Sequence, residues 1–375
     1  MVDLGFRMLL HDRTRFTITV SGVAFAVCLV LAQVGLFNGL MDNAALTIRK
    51  SSADLWVTSR NTANVDFPQT FPENRVDRVR SVPGVARADN LIVAYLNLAL
   101  PSGAQESTIA YALKDFKAWN LPWAMKEGQV EDLRRGRNLI IDDKAQRRFG
   151  AFRTGEYREV LETRMKIVGQ STGALSFTTT PISFLDYDLA QSLQPTLLGG
   201  RTTYTLVKLA PGADPQAVKA EIQRRLPYND VHTRDAWAAK SESYWIVNTG
   251  LGMNAYLTVF LGCLVALVVV AQTLYTSTME HLREFGTVKA IGGSNWDIYA
   301  ILARQASLAA AVGFVLGAGM AYALVPLAAR ADLKLLMPLP FVAVTALGTL
   351  ALCLGAAMLS FRKVAGIDPG LVFRS

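Results

Sequence analysis

Cysteine is missing from the long polar stretch of this chain. The three cysteines, Cys28, Cys263 and Cys353, all fall inside apolar runs, so residues 41–252 cannot rest on disulfides even in an oxidising compartment. Histidine is scarce as well. His11, His232 and His281 are isolated and supply no ligand set for a metal. No Gly-Lys dipeptide occurs anywhere. A P-loop needs glycines that let backbone N–H groups approach phosphate, followed by Lys and Ser/Thr, so the chain is not its own nucleotide engine. Nor is there a catalytic constellation. Asp142-Asp143, Asp186 with Asp188, and Ser176 to Thr180 have no His or second carboxylate at a defining spacing, and they read as solvated turns.

What the chain does have is long apolar runs: Phe16 to Leu40, Met253 to Tyr275, Ile301 to Ala329 and Phe341 to Phe361. Each reaches or exceeds the ~20 residues that a helix needs to cross a bilayer core of ~30 Å. The first run is too long for a signal-peptide core and enters Met41-Asp42-Asn43 rather than a small-residue cleavage site, so it reads as an uncleaved anchor. The expected fold class is an α-helical membrane protein with four transmembrane helices plus a large α+β extracytoplasmic domain between helices 1 and 2. Gln33 and Gln272 are polar groups at membrane depth, expected to face protein. The scarcity of such groups, and of ionisable ones, argues against an aqueous channel through the bilayer.

The net charge of +8 invites a nucleic-acid reading, but basic residues of the polar stretch are scattered among acids. Nucleic acid is therefore not an expected partner; membrane lipid is. Outside that stretch, Arg7, Arg13, Arg15, Arg283, Lys289, Arg304, Arg362, Lys363 and Arg374 fall at the termini or around the loop after the second run. Only Arg330 and Lys334 mark the other short loop. Cytoplasmic loops hold the excess of Lys and Arg, which puts both termini inside and the large domain outside.

These readings divide the chain into 1–40 (cytoplasmic N-terminus and first span), 41–252 (exported domain with stalk ends), and a second span at 253–275. A cytoplasmic coupling helix and loop at 276–300, spans at 301–329 and 341–361, and a cytoplasmic tail at 362–375 complete it. Within the exported domain, strand patterns at Ala53 to Thr58 and Leu91 to Leu100 flank a helical Glu73 to Ser81. Thr203 to Leu209, Gln216 to Leu226 and Asp230 to His232 repeat that strand–helix–strand order. Between the copies, about 117–200 reads as an inserted strand-rich subdomain, with strands at Val160 to Gly169 and Ala174 to Leu185. Exposed Phe and Leu between Gly173 and Phe184 suggest a partner-binding tip. Asp235 to Asn248 turns helical again and runs into the second span, so that helix is expected to continue out of the membrane as a stalk, as Met41 to Lys50 extends the first.

The loop after the second span carries the sharpest local signal. Leu282, Phe285, Val288 and Ile291 recur every three residues beside a charged face, Gly292-Gly293 breaks the helix, and Ser294 with Asp297 has capping-box spacing. Spacing alone fits an interfacial amphipathic helix and a docking helix equally well. On span three, Ala309, Gly313, Gly317 and Ala321 recur every four residues, and Gly35 and Gly39 repeat this spacing on span one. Small residues so spaced let helices approach closely, within the bundle or across a homodimer seam.

Glu280 to Ser294 resembles the E-R-x-x-E-[IF]-G-x-x-K-A-[IL]-G-[AG]-S signature of the MacB/FtsX-type ABC transporter permeases, with His281 where that family usually has Arg. Phe361 to Pro369 resembles the family's closing segment, and Arg7 to Val27 is most similar to the DevC branch. The resemblance implies a non-catalytic permease subunit without a fused ATPase, in a bacterial cytoplasmic membrane. It binds no cofactor itself; ATP and Mg belong to a separate cytoplasmic ABC ATPase. That ATPase is expected to dock on Glu280, Arg283, Glu284, Phe285, Gly286, Lys289, Ala290 and Gly292. Further implied partners are a second permease copy (homodimer or close paralogue), a periplasmic adaptor and an outer-membrane channel. The implied use is tripartite export of lipid, glycolipid, peptide or small-molecule cargo by mechanotransmission. FtsX-like signalling to a periplasmic hydrolase, or lipoprotein extraction, is the alternative.

Overall fold

The computed structural model describes residues 13–280, 284, 286, 287 and 292–365. They form two compact units, one of residues 40–251 and one of residues 13–39 with the described residues after 251.

Helix α1 (Arg13–Lys50) opens the described chain and is uninterrupted across its 38 residues. After β1 (Leu55–Ser59) and the short β2 (Phe71–Pro72) come α2 (Arg75–Arg80), β3 (Val85–Ala99) and β4 (Gln105–Leu113). The middle segment supplies β5 (Met125–Glu127), β6 (Asn138–Asp142), β7 (Tyr157–Val160), β8 (Thr163–Ser171), β9 (Ile182–Asp186) and α3 (Tyr187–Leu193). The chain then returns through β10 (Arg201–Thr202), β11 (Tyr204–Leu209), α4 (Pro215–Arg225), β12 (Asn229–Thr233) and α5 (Arg234–Asn248).

Strands β12, β1, β11 and the first half of β3 pair in that order, all antiparallel, with α2 and α4 connecting β1 to β3 and β11 to β12. The repeated strand–helix–strand order thus closes into one four-stranded unit. Side chains alternate across a strand. Leu55 and Val57 of β1 therefore join Val76, Val79, Val218 and Ile222 from the helices. Trp56 points the other way, to Ile48 at the end of α1 and Trp237 of α5. Each buried Leu, Ile or Val on such a face contributes about 1.5–3 kcal/mol.

Strand β3 serves two sheets. Val85 to Leu91 pair with β11, whereas Ile92 to Ala99 pair with β4. The strand-rich sheet, continuing β4-β9-β6-β8-β5, therefore begins inside β3 rather than near residue 117. Residues 174–181 are not strand. They form a turn closed by one bridge between Leu175 and Pro181, and Phe177 within it is buried rather than an exposed tip. Asp142 is no solvated turn residue either. It is fully buried, accepts from the backbone N–H of Ala174 and Lys144 and the Ser171 hydroxyl, and burial still pushes its carboxyl upward.

Among the described residues the other unit holds four long helices: the first part of α1, α6 (Leu251–Glu280), α7 (Asn295–Arg330) and α8 (Leu339–Ala365). All four are long and apolar enough to cross a membrane. Val23, Val27, Leu31, Val270, Leu302, Ala306 and Ala356 form their shared core. Phe260, Leu264, Val268, Val315 and Leu347 remain exposed, as lipid-facing side chains do. Helix α5 does not run on into α6: Thr249 and Gly250 separate them. Gly250 takes a left-handed φ of 70°, open to glycine at no steric cost, and the Thr249 hydroxyl turns back onto the Trp245 carbonyl.

Candidate coupling site

In the four-helix unit, small residues let α6 and α7 come close to α1. A Cβ on Gly313 would stand 2.6 Å from Val23 Cγ1, and one on Gly317 would stand 2.5 Å from the Ala24 carbonyl. Ala309 and Ala321 are buried on the same stripe. In this chain Gly313 and Gly317 thus seat α7 on α1. Helix α6 approaches α1 in the same way, through Gly22 against Val269 and Gly262 against Leu29. The Ser360 hydroxyl of α8 donates to the Ala271 carbonyl of α6 at 3.2 Å.

At one end of α1, Arg15 pairs with Glu280, the last residue of α6 and first of the family-like segment. Glu284, Gly286 and Thr287 are helical, with Glu284 exposed and Gly286 buried. Arg283, Phe285, Lys289 and Ala290 lie outside the described residues. Gly292 has φ 95°, and Ser294 then caps α7: its hydroxyl accepts from the Asp297 N–H while the Asp297 carboxylate accepts from the Ser294 N–H at 2.8 Å. That cap fixes where α7 starts. Its carboxylate, held by these bonds, sits below the usual Asp range. Trp296 beside it is 77% exposed, a large ring that sequence reasoning passed over.

Toward the other end of the α1 span, the segment between α7 and α8 lies against Gly35 and Gly39. Leu336 N–H donates to the Gly35 carbonyl at 2.9 Å, and Asn38 Nδ2 reaches the Leu336 carbonyl at 3.4 Å. A Cβ on Gly39 would fall 1.6 Å from the Lys334 carbonyl oxygen. Gly39 therefore receives backbone, and Gly35 the Met337 side chain, both from this segment and not from another helix. Gln272 is exposed on α6 and Gln33 half-buried, so the expectation that both face protein fails for Gln272; Gln305 of α7 is the buried amide instead.

Beyond Gly39, α1 belongs to the α+β unit. Arg49 pairs with Glu242 of α5 at 2.6 Å, and Asn120 Nδ2 donates to the Lys50 carbonyl at 2.9 Å. Ala45 and Ile48 are fully buried with Trp237 and Ala238 of α5. The two elements that lead out of this unit are thus fastened to one another within it.

Four membrane-crossing helices with a large α+β domain between the first and second define a multi-pass membrane protein with an extracellular domain. A family model described as the MacB-like periplasmic core domain matches residues 16–225, more than half of the chain. A second, the FtsX-like permease C-terminal domain, matches residues 256–369. The chain belongs to the MacB/FtsX-type ABC transporter permeases. It is 28% identical over 365 residues to an uncharacterized ABC transporter permease of Mycobacterium bovis, covering 96% of this chain and 95% of that one. A second uncharacterized ABC transporter permease, from Mycobacterium tuberculosis, is 26% identical over 381 residues, covering 100% and 99%. Among solved structures, the periplasmic region of MacB from Actinobacillus actinomycetemcomitans matches at TM-score 0.39 and 10% identity, over 50% of this chain and 92% of that one. The extracellular domain of the noncanonic ABC-type transporter YknZ from Gram-positive bacteria matches at TM-score 0.37 and 12% identity, over 48% and 99%. A permease of an ABC transporter implies a partner ATPase.

Proposed function

We propose that this permease transmits force rather than conducting cargo through the bilayer. The observation that carries the reading is α1, one unbroken helix whose first part packs among the spans and whose last part is buried in the α+β core. The ATPase docks on the segment from Glu280 to Gly292, and Arg15 ties the start of that segment to the inner end of α1. Closure of two ATPases on nucleotide then favours one arrangement of a permease pair through differential contact at this segment, which is all a nucleotide can do to such an equilibrium. Movement of α1 passes to the domain through Ile48 and the Arg49–Glu242 pair. The scarcity of ionisable groups in the spans supports the absence of an aqueous pathway.

The use we infer is tripartite export from the cytoplasmic membrane, with lipid, glycolipid, peptide or small-molecule cargo collected at the outer domain. A periplasmic adaptor and outer-membrane channel complete the path, as in the DevC-like branch. The test needs no cargo. Spin labels at Gln216→Cys in a background without the three native cysteines report the distance between the domains of two copies, purified with the co-isolating ATPase in nanodiscs. A non-hydrolysable ATP analogue is expected to shift that distance, and a Gly-Gly-Ser insertion after Asn43 to abolish the shift while the ATPase stays bound. An unchanged distance on nucleotide binding would sink the reading.

A further inference from the structure

Residues 62–66 form a largely buried loop against α5, followed by the more exposed Phe67. Asn64 Oδ1 accepts from the backbone N–H of Asp66 and Phe67, both at 2.9 Å, and Val65 N–H donates to the Ser241 hydroxyl of α5 at 3.3 Å. The Tyr204 hydroxyl donates to the carbonyls of Asn64 and Val65. The Phe67 ring packs on Tyr244 and Trp245 of α5. Trp245 is also stacked on Phe177, with centroids 4.0 Å apart and planes 15° from parallel. Phe177 belongs to the turn 172–181, whose Ser176, Thr178 and Thr180 hydroxyls bond one another. Loop, turn and helix therefore meet at Trp245.

Asp66 sits in this junction with 4% of its surface exposed. The Phe177 backbone N–H acts on its carboxyl, while Oδ2 has no hydrogen-bond partner among the described residues. The groups facing it are neutral phenols, Tyr95 from β3, Tyr111 from β4 and Tyr204 from β11. Helix α5 contributes Ser241 and the rings of Tyr244 and Trp245 to the same junction, and the turn a backbone N–H. A carboxylate in these surroundings is desolvated with one oxygen unpaired, which costs far more than burying the neutral acid there.

We propose that Asp66 is a proton-gated latch: neutral, it closes the Phe177 turn and the 62–67 loop on helix α5; ionised, it loosens them. Burial raises the carboxyl to about 7, with the Phe177 N–H pulling the other way. A raised carboxyl pKa favours the closed form fully below the ordinary carboxylate range, and that advantage is lost progressively as pH rises to about 7. Above that the latch stays at its loosest. Because α5 is the last helix before α6, the latch sets how firmly the domain holds that element. Only this consequence rests on the proposed force transmission; the latch itself does not.

Hydrogen exchange of the full chain in nanodiscs tests it, at pH 5.5 and 8.5, with rates corrected by an unfolded reference. Peptides covering 172–181 and 237–248 are expected to open roughly thirtyfold more often at pH 8.5, if opening returns Asp66 to an ordinary carboxylate. Asp66→Asn, a neutral isostere, should make the protection of both peptides independent of pH. Phe177→Ala should open both peptides at both values and erase the pH dependence. Equal corrected protection of the wild type at the two pH values overturns the proposal, and so does a pH difference that survives in Asp66→Asn. The wild-type comparison decides the matter even where a variant does not fold.

Discussion

Arg15 Nη2 donates to Glu280 Oε1, and Arg15 Nη1 lies in ion-pair contact with Oε2. The pair joins the start of α1 to the end of α6, at the entry to the family-like segment. Both side chains are partly exposed, at 27% and 52%, so the pair is a positional device more than a source of stability.

Breaking it should therefore cost little fold and much coupling. Glu280→Gln is expected to lower stability by no more than about 1 kcal/mol, the usual limit for a solvent-screened pair. The nucleotide-driven distance change at position 216 should shrink severalfold. Arg15→Glu combined with Glu280→Arg should restore it if the contact matters through its charges, and a full response in Glu280→Gln alone would remove the pair from the pathway.

Helix contacts give a sharper contrast. Gly317→Ala places a methyl 2.5 Å from the Ala24 carbonyl, whereas nothing lies within 4 Å of a Cβ at Gly319. Overpacking against backbone costs about 1–3 kcal/mol. Gly319→Ala should be neutral, or stabilising by up to about 1 kcal/mol from helix propensity. Thermal unfolding in the same detergent compares the two, and equal midpoints would show that α7 does not seat on α1 as described.

How much of this was legible beforehand depends on the range of the interaction. The four spans declare themselves because each helix satisfies its own backbone and needs only apolar side chains. The Ser294–Asp297 cap was legible for the same reason, since its partners are three residues apart. The paired strand–helix–strand units were visible as alternation. Alternation says which face a residue takes, however, and not which strand lies beside it. The switch of β3 from β11 to β4 at Leu91 and Ile92 thus left no local trace. Residues 174–181 alternate as a strand would, but Phe177 is claimed by Trp245, remote in sequence. The break between α5 and α6 rests on the left-handed φ of Gly250, which composition does not announce. On the coupling segment the motif named the residues, and the structure describes Glu280, Glu284, Gly286 and Gly292 among them.

Gly39 carries the tightest approach in the four-helix unit. Because a Cβ there would lie 1.6 Å from the Lys334 carbonyl, Gly39→Ala must displace the segment between α7 and α8. The Leu336 to Gly35 hydrogen bond is expected to weaken with it. ATPase co-purification should persist, while the distance response of the outer domain falls. Faster hydrogen exchange of residues 333–338 measures the displacement directly; unchanged exchange would mean that the segment accommodates the methyl.

Buried Asp66 and half-buried His232 give the α+β unit opposing pH dependences. His232 is stacked on Trp237 with centroids 5.0 Å apart, and burial, helped by Lys240 and Lys219 against Asp230, depresses it to about 4. Its stabilising contribution is present above the ordinary His value of about 6.5 and is lost as pH falls toward 4. Asp66, raised to about 7, loses its contribution in the other direction as pH rises through the same window. In the intact protein the two slopes offset one another between pH 4 and 7. Asp66→Asn should expose the His232 slope, so that unfolding midpoints climb from pH 4.5 to 6.5. His232→Phe, which keeps a ring on Trp237, should expose the Asp66 slope and make them fall over the same range. Reading the midpoints as differences from wild type cancels groups common to all three proteins. Slopes of the same sign in the two variants would contradict one of the two burials, and the variant that tracks wild type identifies which.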